Sequence, residues 1–105
     1  MLQNRCAVPV FRTTELAPRV RLVDRLKAMQ TFVRVVESGS FSAVARETRS
    51  TQSAISKQVA GLERDLEAKL LSRTTRSLAL TEAGERYFTK ARRLVEEIAE
   101  AEAAL

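Results

Sequence analysis

The chain has 105 residues, 45% hydrophobic and 30% charged, with a net charge of +5, which suits one small soluble domain with an appendage. No apolar run is long enough to cross a bilayer, and the N-terminus lacks the apolar core and cleavage site of a secretory signal. With no histidine and a single cysteine, Cys6, an internal disulfide, a Cys–His nucleophile and an ordinary zinc site are excluded.

The charge is unevenly spread. Residues 1–23 hold four arginines against Glu15, residues 24–91 hold twelve Lys/Arg against eight acids, and residues 92–105 hold Arg92 and Arg93 against four glutamates. A basic body with an acidic tail favours a polyanion such as nucleic acid or anionic lipid.

Residues 1–23 carry Pro9 and Pro18, scattered arginines and no sustained period, so they are expected to be an unstructured preface. Val23 marks a candidate natural start, because a GTG initiator read internally encodes valine. A first helix is expected over 24–37, with the Asp24 carboxylate at its N-terminus. Leu26, Met29, Phe32, Val33 and Val36 recur on one face, and Gly39 supplies a stop. A second helix over 42–48 can be capped by Ser40 or Ser42, with Phe41, Val44, Ala45 and Thr48 inward.

After a polar break at Arg49-Ser50-Thr51, a third helix is expected over 52–67, capped by Ser50 or Thr51. Its stripe of Ile55, Val59, Leu62 and Leu66 leaves Gln52, Ser53, Ser56, Lys57 and Arg64 facing away from the core. Residues 70–73 and 77–80 read as a short hairpin around Thr74-Thr75-Arg76. Thr81 can cap a long last helix, with Glu82 and Glu85 favouring its dipole. Within it Tyr87, Ala91, Leu94, Ile98, Ala101 and Leu105 are spaced as a heptad seam. That seam serves either a dimer interface or an intramolecular packing face.

Three helices followed by a hairpin make a mainly α winged helix-turn-helix, in which the third helix enters the major groove of DNA. Gln52 can present donor and acceptor to adenine, and Lys57 can reach guanine or a phosphate. Ser53 and Ser56 are short enough for close approach. Arg73 and Arg76 at the wing suit a narrow minor groove. Ser40 and Ser42, with the free N–H groups of the second helix, can clamp phosphate.

The same residues resemble a known family. The strings Phe32-Val33-x-Val35-Val36-Glu37-x-Gly39-Ser40-Phe41-Ser42-Ala43 and Gln52-Ser53-Ala54-Ile55-Ser56-Lys57-Gln58-Val59 carry the likeness. Leu62-Glu63, Leu66, Arg73-Thr74-Thr75-Arg76 and Leu80-Thr81-Glu82-Ala83-Gly84 continue it. Residues 24–105 resemble the N-terminal DNA-binding region of LysR-type bacterial transcriptional regulators.

The resemblance implies a cytoplasmic homodimer on double-stranded DNA, reading an interrupted inverted repeat near promoters. Base contacts would come from Gln52, Ser53, Ser56 and Lys57, and wing contacts from Arg73, Thr75 and Arg76. Residues 24–80 would form the reading domain, and residues 81–105 the dimerising linker helix. It implies no cofactor, no metal, no membrane and no catalysis. The family's effector-binding domain is absent here, so this chain should bind no small-molecule effector.

Three places depart from the family pattern. Thr48-Arg49-Ser50 lacks the two apolar residues usual at that turn, Glu67 replaces the glycine that ends the third helix, and Leu71-Ser72 replaces Phe-Glu before the wing arginine. Two rivals are a coiled-coil module that pairs with full-length regulators, motivated by the seam, and another winged-helix type such as a MarR-like regulator. An enzyme would need a nucleophile–base pair or a phosphate loop, and neither is visible.

Overall fold

The computed structural model describes residues 19–73 and 78–105. The elements are α1 (Arg19–Ser38), α2 (Phe41–Glu47), α3 (Gln52–Leu66), β1 (Leu71–Arg73), β2 (Leu78–Leu80) and α4 (Glu82–Ala103). The first helix starts at Arg19 and not at Asp24, so residues 19–23 are helical rather than part of an unstructured preface. Nothing in Arg-Val-Arg-Leu-Val breaks a helix, and the nearest breaker, Pro18, stands just ahead of it.

The core gathers around Phe32, which is fully buried among Ala28, Met29, Val33 and Val35 of its own helix and residues of every other element. Leu26 is exposed, contrary to the sequence pattern. It stands roughly 120° around the helix from Phe32, at the edge of the buried face, which centres nearer Val35.

Ser40 caps α2, its Oγ accepting from the Ala43 N–H at 3.1 Å. Of the α2 face, Val44 and Ala45 are buried and Phe41 is half-buried. Thr48 instead points to solvent and donates its hydroxyl to the Val44 carbonyl at 2.8 Å. The turn to α3 is closed by backbone bonding where the family places apolar residues. Arg49 adopts a left-handed φ of 58°, and the Ser50 N–H reaches the Ala45 carbonyl at 2.8 Å.

Helix α3, capped by Thr51 at the Ala54 N–H, ends in the same way. Glu67 takes a left-handed φ of 54°, and the Ala68 N–H bonds the Glu63 carbonyl at 3.1 Å. Both ends keep the usual helix-ending geometry without glycine, at about 1 kcal/mol each for the Cβ in that region.

Side chains tie the helices to one another. The Thr31 hydroxyl donates to Gln58 Oε1 at 2.8 Å, joining α1 to α3. Arg34 joins α1 to α2, donating to Glu47 at 2.9 Å and also to Glu37 at 2.8 Å. These bonds raise the guanidinium's affinity for its proton, and they hold the Glu47 carboxyl below its ordinary range.

The hairpin pairs antiparallel, Leu71 with Leu80 and Arg73 with Leu78. The first strand starts one residue later than the sequence pattern suggests, and Ser77, expected in the second, lies outside the described residues. Its root is pinned by Glu63, a buried carboxylate on α3 that accepts from the Leu70 and Leu71 N–H groups at 2.8 and 3.0 Å. Thr81 closes the other side, donating to the Lys69 carbonyl at 2.5 Å and accepting from the Gly84 N–H at 2.9 Å. A Cβ on Gly84 would overlap the Leu70 carbonyl, so this glycine lets α4 lie against the hairpin.

Candidate nucleic-acid interface

The α3 stripe behaves as the periodicity predicts: Ile55, Val59 and Leu62 are buried and Leu66 is half-buried. On the opposite side Gln52, Ser53, Lys57 and Arg64 are exposed and Ser56 is partly so. The protein's interior leaves this face free.

Neighbouring elements nevertheless organise it. The Ser42 hydroxyl of α2 donates to Gln52 Oε1 at 3.1 Å. From β1, Arg73 Nη1 donates to Ser56 Oγ at 3.1 Å, and the guanidinium carbon lies 4.7 Å from the Phe41 ring centroid. A cation over a ring face is attracted by the ring quadrupole, which holds the arginine against α2. Side chains from α2, α3 and β1 thus meet on one surface. Ser40 differs, because its oxygen accepts from the Ala43 N–H in the α2 cap and its hydroxyl donates to no acceptor among the described residues.

The surface is cationic. Arg46, Arg49, Lys57, Arg64 and Arg73 are all exposed and take part in no ion pair among the described residues. Phe41, read from the sequence as a core residue, is also the platform for Arg73. The left-handed Arg49 lies in the turn that leads into α3. The platform role of Phe41 has no local sequence signal, since Arg73 is brought to it from 32 positions away. Thr75 and Arg76 lie outside the described residues.

The seam of α4 divides. Tyr87 packs on Phe32 with ring centroids 5.6 Å apart, and Ala91 is 1% exposed. These two therefore serve the protein's own core, and Ala91 has no surface to offer a partner. Phe88 and Val95 join them in packing inward. Beyond that point the seam is open: Leu94 is 48% exposed, Ile98 is half-buried, and Ala101 and Leu105 are exposed. The reason is that the first turns of α4 pack across α1, which claims the inward stripe and leaves Leu94 beside it. The Tyr87 hydroxyl is buried with no hydrogen-bond partner among the described residues, and burial pushes its pKa up.

Among the described residues no helix is long and apolar enough to cross a membrane, and no cluster of three potential metal ligands occurs.

A short helix, a tight turn, a second helix with an open polar and cationic face, and a hairpin beside it define a winged helix-turn-helix domain. Residues 26–85 match the family model for the bacterial regulatory helix-turn-helix protein, lysR family. The chain belongs to that family.

Among its relatives, it is 49% identical over 76 residues to the HTH-type transcriptional activator AaeR of Escherichia coli K12, covering 72% of this chain and 25% of AaeR. The full-length Vibrio cholerae virulence activator AphB superposes with a TM-score of 0.71 at 34% identity, covering 75% of this chain and 27% of AphB. The BenM DNA-binding domain, solved with benA site 1 DNA, superposes with a TM-score of 0.70 at 29% identity, covering 75% of this chain and 89% of that domain. The chain thus spans about a quarter of the length of the curated relatives it matches.

Proposed function

We propose that this chain is the DNA-reading and pairing end of a cytoplasmic transcription regulator. The observation that carries the reading is the free face of α3: Gln52, Ser53, Ser56 and Lys57 stand out from a helix whose other side is fully engaged by the core. A helix so presented fits the major groove, where its side chains meet base edges. The likeness to BenM, a domain solved on DNA, supports the same reading.

In this reading residues 24–80 form the reading unit. Ser40 and the first free N–H groups of α2 meet phosphate, whereas Ser42, expected there too, already gives its proton to Gln52 and would have to release it to join them; Arg73, Thr75 and Arg76 serve the wing. Two copies pair through the open part of α4, at Leu94, Ile98 and Ala101, with Leu105 just past the helix end, and address the two arms of an interrupted inverted repeat. The reading includes no catalysis, and it assigns effector sensing to no residue here.

Affinity for a selected duplex should fall by roughly 10³–10⁵ between about 50 and 200 mM salt if the dimer neutralises about 6–10 phosphates. Ser56→Glu should weaken binding by roughly 100-fold or more through loss of a base contact and repulsion of the phosphates. Fluorescence anisotropy on a labelled duplex reads both, and circular dichroism reports the fold. Affinity indifferent to salt, or a Ser56→Glu protein that binds like the parent, defeats the proposal.

The exposed Leu94 supports a second reading, a module that pairs with longer regulators. A chain that captures such a regulator while binding no DNA itself would favour it.

A further inference from the structure

We propose that Phe41 is a positioning residue for binding of the DNA backbone: together with Ser56 it holds Arg73 ready for a phosphate. The inference deepens the DNA-reading proposal and rests on it. It gives Phe41 a role beyond its place against the core, and it concerns the phosphates and not the bases.

Arg73 is held from three sides. Its backbone belongs to β1, where it pairs with Leu78. The root of that strand is locked by Glu63, which accepts from the Leu70 and Leu71 N–H groups at 2.8 and 3.0 Å. Its Nη1 donates to Ser56 Oγ at 3.1 Å. Its guanidinium carbon lies 4.7 Å from the centroid of the Phe41 ring. The ring is itself fixed, because Phe41 opens α2 directly behind the Ser40 cap and packs against the core.

The partners of Arg73 are neutral, a ring face and a hydroxyl. They fix where the guanidinium sits without cancelling its charge. Arg34 shows the opposite arrangement: its guanidinium is given to two carboxylates, Glu47 at 2.9 Å and Glu37 at 2.8 Å, and ties α1 to α2. Arg73 is exposed and takes part in no ion pair among the described residues. Ser56 engages one of the five guanidinium N–H donors, which leaves others for a phosphate, an anion that arginine meets with paired bonds. Ser56 is half-buried on α3, on the flank of the reading face that β1 approaches. A helix in the major groove has phosphates along its flanks, so the held cation stands where the backbone passes. An arginine freed from the ring occupies that place only part of the time, and apparent affinity falls by the same fraction.

The test is a double-mutant cycle on DNA affinity, using the full 105-residue chain and a duplex that the parent selects from a random pool. Fluorescence anisotropy reads binding, and thermal unfolding reads the fold. Arg73→Met removes the charge and should lower the slope of log affinity against log salt by about 1. Phe41→Leu, with Phe41→Met as a second replacement, keeps apolar contact with the core and loses the ring. Either should weaken binding about three- to fivefold in the parent, the value of an exposed cation–π contact. Neither should weaken it further once Arg73 is replaced by methionine. A ring that serves only the core would lower affinity equally in both backgrounds, in step with the thermal midpoint. Equal losses in both backgrounds, or no loss in the parent, overturn the inference while leaving DNA reading standing. An Arg73→Met protein with the parent's affinity and salt slope does the same. A parent that selects no duplex overturns the DNA-reading proposal, and this inference falls with it.

Discussion

Helices α3 and α4 carry the same kind of amphipathic pattern and meet different fates. Every apolar position of the α3 stripe finds the core, so what α3 shows to the outside is polar and cationic. Helix α4 finds the core only along its first part, through Tyr87, Phe88, Ala91 and Val95, while Leu94 and Ala101 are exposed, as is Leu105 just past the helix end. Both carry an apolar stripe at three- and four-residue steps, but α4 is 22 residues long and α3 is 15. A helix whose stripe is used up inside can lend its other face to a polyanion. A helix whose stripe outlasts the body presents apolar surface that a second helix can cover.

One substitution placed at two neighbouring α4 positions gives the sharpest contrast. Ala91→Glu forces a carboxylate into a core position that is 1% exposed, and should cost about 4 kcal/mol or more, seen as loss of the cooperative unfolding transition. Leu94→Glu, three residues on, should leave the thermal midpoint nearly unchanged and shift sedimentation equilibrium from dimer to monomer. Equal destabilisation by both variants would erase the distinction between the two halves of α4.

A smaller effect tests how α3 is terminated. Glu67→Gly should raise stability by about 1 kcal/mol, because glycine adopts the left-handed geometry without the Cβ clash. Denaturant titration measures it, and a loss of stability would mean that the Glu67 side chain makes an undetected contribution.

The smallest effect concerns acid. The Glu47 carboxyl is lowered from its ordinary 4.5, chiefly by the hydrogen bond from Arg34 and against a weaker effect of burial. A lowered folded-state pKa means that its stabilisation is present above the ordinary value and is lost as pH falls through the lowered one. Glu47→Gln should therefore flatten the stability curve slightly on the acid side of pH 4.5. A parent and variant that lose stability in parallel below that pH would refute the assignment.

The Glu67 result also bears on what could be read from the chain. The sequence shows that the usual glycine is missing there, and it suggests a rebuilt or longer cap. In the structure the glutamate simply adopts the glycine conformation, because Ala68 and Glu63 still bond across it. The turn at Thr48-Arg49-Ser50 gives the same lesson, with backbone bonding in place of the absent apolar pair.

The sequence by itself determined the order of elements, the cap at Thr81, a cap for α3 at either Ser50 or Thr51, the inward stripe of α3 and the outward position of Gln52, Ser53, Ser56 and Lys57. These depend on helical periodicity and on cap bonds between residues at most four apart, and such short-range chemistry is written in adjacent letters. Only the tertiary structure decided that Tyr87 and Ala91 belong to the core while Leu94 does not. It alone brought Arg73 to Ser56 across 17 positions and Thr31 to Gln58 across 27. Those pairings exist because the packing of Phe32 against α4 and of Glu63 beneath the hairpin fixes where distant segments meet, and no local pattern encodes that distance.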